Sequence, residues 1–107
     1  MVVCPLRQGG GIKAKVVEAL ARGKAIVTTP VGAQGFGSAA PRAMRIADTP
    51  RAIAAEVIDL LRRGDRRREL EARASQLASR LPTWDQAAEA LLGCYRELLA
   101  REAVARR

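Results

Sequence analysis

The sequence predicts an α/β fold, a partial Rossmann-like unit with a small parallel sheet and C-terminal helices, and three observations predict it. Short apolar, β-branched runs at Val2-Val3-Cys4 and Ala25-Ile26-Val27-Thr28 flank a stretch whose apolar residues recur at helical spacing, which is a βαβ pattern. From Pro50 onward the apolar residues form three successive helical stripes, interrupted at Gly64 and Pro82. Hydrophobic residues reach 49% while aromatics are 3%, so the core is aliphatic and suited to helices. A chain of 107 residues is one domain at most, expected here as a single partial domain with a βαβ region over 1–48 and helices over 49–107.

Val2-Val3-Cys4 before Pro5 is the end of a buried strand, so the chain is expected to begin mid-domain. From Gly11 to Arg22 a helix is predicted, with Ile12, Val16, Val17 and Leu20 on its apolar face and Lys15, Glu18 and Arg22 opposite. Gly23 supplies its stop. Ala25–Thr28, bounded by Gly23 and Pro30, is a parallel strand, and 31–40, with Gly32, Gly35 and Gly37, is a loop. Ala43–Ala47 is a third short strand. Thr49 caps a helix with Pro50 at its first position, buried along Ala52, Ile53, Val57, Leu60 and Leu61 and ended by Gly64. Asp65 caps the next, with Leu70, Ala74, Leu77, Ala78 and Leu81 as its stripe. After Pro82, Thr83 caps a last helix lined by Trp84, Ala88, Leu91, Tyr95, Leu98 and Leu99.

The formal net charge is +8, and it is unevenly placed. Arg7, Lys13, Lys15, Arg22, Lys24, Arg42 and Arg45 face a single acid, Glu18, in the first 45 residues, and the rest is near balance. Positive potential therefore surrounds the glycine loop, as an anionic ligand requires; a solvated basic surface is the plainer alternative for any one side chain. The absence of histidine excludes His-based catalysis, and the two cysteines lack metal spacing, so no metal is expected. Cys4 and Cys94 both lie among apolar residues and are expected to be buried, reduced thiols. With no membrane-length apolar run and no signal segment, a cytoplasmic location is expected.

Gly9, Gly10 and Gly11 remove three consecutive Cβ atoms ahead of a helix, so amides there can turn toward an anion at the positive helix end. Lys13 and Lys15 add charge where the helix dipole disfavours cations unless an anion is present. The loop lacks the Lys-Ser/Thr ending of a P-loop and the spaced glycines of a dinucleotide fingerprint. Glu18 has two open readings. It can accept hydrogen bonds from the vicinal hydroxyls of a ribose, or it can be a surface glutamate paired with Lys15 or Arg22.

Glu18-Ala19-Leu20-Ala21-Arg22-Gly23 followed by Ala25-Ile26-Val27-Thr28-Thr29-Pro30-Val31-Gly32 resembles the donor-binding part of retaining GT-B glycosyltransferases, the family 4 group in particular. Looser similarity continues through Ala47-Asp48-Thr49-Pro50, Leu60-Leu61 and Trp84-Asp85. The resemblance implies binding of a nucleotide-diphosphate sugar, as substrate and not cofactor, with no metal. It places Gly9, Gly10, Gly11 and Ile12 at the phosphates, Lys13 and Lys15 as supporting charge, Glu18 at the ribose, and Gly32, Ala33, Gln34 and Gly35 along the sugar. Glu18 corresponds to the second glutamate of an E-x7-E motif. The first glutamate is replaced by Gly10, and Gln34 stands where related sequences often carry an acid.

The family pattern also implies an N-terminal acceptor domain or partner chain, with no catalytic residue in this one. Alone, the chain is expected to bind a nucleotide sugar weakly or not at all and to transfer nothing. Peripheral membrane association of the full enzyme and self-association through the last helix are further implied partners. Nucleic acid is not expected: the run Arg66-Arg67-Arg68 is diluted by Asp65, Glu69 and Glu71, and few aromatics offer stacking. A small basic nucleic-acid-binding module, or a protein-interaction module using the last helix, are the alternatives.

Overall fold

A computed structural model describes residues 1–107. Three parallel strands, β1 (Val2–Cys4), β2 (Ile26–Thr28) and β3 (Arg45–Ile46), lie in the order β1-β2-β3. The register pairs Cys4 with Thr28 and Thr28 with Ile46, so all three strands end at one level. β2 is central and wholly buried, which its continuous apolar run anticipates.

Between β1 and β2 runs α1 (Ala14–Ala21), which buries Val16, Ala19 and Leu20. It starts three residues later than the sequence suggests. Gly9 and Gly11 take positive φ, 132° and 67°, and Lys13 is extended, so the glycine segment stays outside the helix. Ile12, expected in the apolar stripe, is consequently exposed. The helix end is as expected: Gly23 has φ 63°, and the amides of Gly23 and Lys24 reach back to the carbonyls of Leu20 and Ala19 in a Schellman motif.

The glycine-rich stretch after β2 contains helical structure that its composition conceals. A 3-10 turn over Gly37–Ala39 leads into α2 (Ala40–Ala43), which buries Ala40 and Ala43. Helix α3 (Pro50–Arg62) opens with the Thr49 side chain accepting from the Ala52 amide, and buries Leu60. Leu61 is exposed instead of core. Gly64 does not end this helix; it is the first residue of α4 (Gly64–Arg80), and Asp65 lies in the first turn, where its charge suits the helix dipole. The single residue Arg63 breaks the axis between the two.

Two cores flank the sheet. Cys4, Val16, Leu20, Ile26, Phe36 and Met44, with Ala74 of α4, form the larger one; Ala25, Val27, Leu60 and Leu70 form the other. The central strand β2 is therefore covered on both faces, while Val3 of the edge strand β1 stays exposed.

The last helix, α5 (Trp84–Ala105), has the expected cap. Thr83 accepts from the Gln86 amide, and the Gln86 side chain accepts from the Thr83 amide. Contrary to expectation, none of its residues is buried, and Trp84 is 92% exposed. Cys94, on this helix, is exposed too, because no other element lies over it. The helix extends the molecule to 68 × 26 × 19 Å. No helix is long and apolar enough to cross a membrane.

Candidate functional site

Parallel strands deliver their following loops to a single edge, and here three loops gather there: residues 5–13 after β1, 29–36 after β2 and 47–49 after β3. Two buried threonines hold the first two loops in place. Thr28 Oγ1 donates to the Cys4 carbonyl at 2.9 Å, and Thr29 Oγ1 donates to the Leu6 carbonyl while accepting from the Gly32 amide at 3.2 Å. Gly32 lies so close over Thr28 that a Cβ there would stand 1.9 Å from its hydroxyl. Only glycine lets the second turn fold back on the strand end.

The glycine segment Gly9-Gly10-Gly11 is exposed, and no amide from Arg7 to Lys15 donates to a backbone carbonyl; Val16 is the first to do so. Amides in that state lie at the N-terminus of α1 with their hydrogen-bonding capacity open. Lys13 folds back across the loop: its Nζ donates to the Gly11 carbonyl at 2.7 Å and to Gln34 Oε1 at 3.4 Å. Ile12 packs on Gly35, whose φ is 92° and whose added Cβ would meet Ile12 Cγ1 at 2.2 Å. Gly9 to Lys13 and Gly32 to Gly35, far apart in sequence, thus form one surface.

Glu18 and Lys15 are placed elsewhere. They line a cavity of ≈ 430 Å³ along α1 with Met1, Val2, Arg22 and Lys24. Because α1 begins at Ala14, Glu18 lies about one turn from its start. Its carboxylate pairs with Arg22 at 3.2 Å, and both groups are well exposed, so the pair adds little stability. The carboxylate is both the partner of Arg22 and the one acid facing a cavity with three cations. The glycine loop does not border that cavity.

A second cavity of ≈ 550 Å³ at the same sheet edge is lined by Val3, Arg7, Thr29, Val31, Asp48 and Thr49, among others. From the sequence, Arg7 belongs to the basic surplus and Thr49 caps a helix, and neither they nor Asp48 are assigned to a site. Their position directly after strand ends is the signal that could have placed them at a site. Burial pushes the Cys4 thiol up, and Lys15 partly opposes the shift.

Strand-end loops around glycine turns and cationic side chains, set on a small three-stranded parallel sheet with flanking helices, define a partial Rossmann-like α/β protein. The chain belongs to the glycosyl transferases group 1 family, whose sequence profile matches residues 1–63, from β1 through α3 and all three loops. No curated protein and no solved structure matches it. Family membership makes the chain glycosyltransferase-like, and the α/β fold expected from the sequence agrees with it.

Proposed function

We propose that this chain forms the donor-binding part of a retaining GT-B glycosyltransferase of the family 4 type, taking a nucleoside diphosphate sugar as donor. The observation that carries the reading is the open glycine loop at the start of α1, inside the segment matched by the family profile. The amides of Gly9 to Ile12 receive the distal phosphate, and Lys13 adds its charge from across the loop. Glu18 and Lys15 lie further along the same helix, where the carboxylate accepts hydrogen bonds from the ribose hydroxyls. Gly32, Ala33, Gln34 and Gly35 border the sugar.

In glycosyl transfer from such a donor, negative charge accumulates on the leaving diphosphate. Fixed amides and an adjacent ammonium oppose that charge without having to reorganise. The acceptor and its activation belong to a second domain or chain, so these residues hold the donor and stabilise its departure without attacking it.

The test is an amide NMR titration of the purified chain with nucleoside diphosphates and with pyrophosphate. Weak binding is expected, with perturbations centred on residues 9–18 and 32–35. Glu18→Gln should weaken nucleoside diphosphate binding by about tenfold and leave pyrophosphate unchanged, because only the ribose is lost. Perturbations centred on α3 to α5 would overturn the assignment, as would sugar transfer by this chain alone.

A further inference from the structure

We infer that the groove between α2 and α4 is a separate anion site, built to take a phosphate group through a cluster of arginines. Arg42 of α2 and Arg73, Gln76, Leu77 and Arg80 of α4 line a cavity of ≈ 470 Å³, closed below by two alanines of the α2 segment. The spacing 73, 76, 77, 80 places the four α4 residues on one helix face. No carboxylate lines the cavity. Arg42 and Arg80 have no acidic partner within ion-pair distance, and Arg73 is shared only with Glu69.

An adjoining cavity of ≈ 60 Å³ shares Arg42 and Arg73 and adds Arg45 and Arg66, with one carboxylate, Glu69, which pairs with Arg73. The Nε of Arg45 makes no hydrogen bond but pairs with the Glu56 carboxylate at 3.7 Å, and the side chain is 40% exposed. Like charges converging on one cavity repel. A bound anion relieves that repulsion. Guanidinium forks match the oxygens of a phosphate in bidentate fashion, and the apolar floor suits a carbon skeleton beside the charged group.

Other arginines without an acidic partner, Arg51, Arg62 and Arg96 among them, line neither cavity. Arg63 pairs with Asp59, and Arg67 pairs with Glu71. Neither cavity borders the glycine turns assigned to the donor, so the inference stands whether or not that assignment holds.

The phosphate could be carried by a soluble small molecule or by a phospholipid headgroup, and two arms separate these sources. In the first, inorganic phosphate is titrated against the chain and followed through the Nε–Hε signals of Arg42, Arg73 and Arg80. In the second, the chain is sedimented with phosphatidylcholine vesicles, with or without phosphatidylglycerol. The triple variant Arg42→Gln, Arg73→Gln, Arg80→Gln is expected to lose about tenfold or more in affinity. The equally charge-depleted control Arg51→Gln, Arg62→Gln, Arg96→Gln is expected to bind as the parent does. Binding in the first arm identifies a soluble ligand, and binding only to the anionic vesicles identifies a headgroup. Equal loss in both variants, or no binding in either arm, overturns the site.

Discussion

At the scale of single residues, two cysteines of one sequence context meet opposite fates. Cys4 is at the end of β1 under the larger core, and Cys94 is on the bare helix α5. A thiol reagent at neutral pH should therefore modify one cysteine rapidly, and peptide mapping should identify it as Cys94. For Cys4 the sign of the pH effect is fixed. Its neutral form is the folded one and its pKa is raised above the ordinary 9.0, mainly by burial. The stability it supports is complete below the unfolded-chain value and is lost as pH rises through the folded value. The difference in unfolding free energy between the parent and Cys4→Ala should shrink across that alkaline range. Gly35 offers a second residue-scale test: with φ 92° and Ile12 against it, Gly35→Ala should destabilise by about 1–3 kcal/mol in denaturant unfolding.

At the scale of elements, local chemistry was legible and tertiary placement was not. Thr49-Pro50, Gly23 and Thr83 mark helix ends through hydrogen bonds made within a few residues, so their sequences suffice. The start of α1 is different: positive φ at Gly9 and Gly11 removes them from the helix, and periodicity is blind to that. The stripe on α5 reveals amphipathicity but not what lies against it. Likewise, the cavity that Glu18 faces depends on where α1 packs, while the meeting of Ile12 with Gly35 depends on β1 and β2 being neighbours. Hydrogen exchange should show α5 amides far less protected than those of α1 and β2, since no tertiary contact buries them. Thr83→Ala should fray its first turn and cost that helix about 1 kcal/mol, read by circular dichroism and local exchange.

At the scale of the whole molecule, the chain is longer than a compact domain of its size. Its Cα radius of gyration is 18.5 Å, against about 13 Å for a globular chain of this length. Since both cores end with α4, a chain of residues 1–83 should keep the parent's unfolding midpoint within a few degrees while its scattering radius drops toward the compact value. A collapse of folding on that truncation would mean that α5 supports the sheet.

The neighbouring hydroxyls at the tip of β2 have a mechanical consequence. Thr28 and Thr29 clip the first turn to the strand that launches the second, so pulling on either turn drags the other through a few ångströms of rigid backbone. Exchanging both for valine would preserve the bulk while releasing the clip, and the two turns would then drift out of step. A guest spanning them would have to restore their alignment each time it arrived.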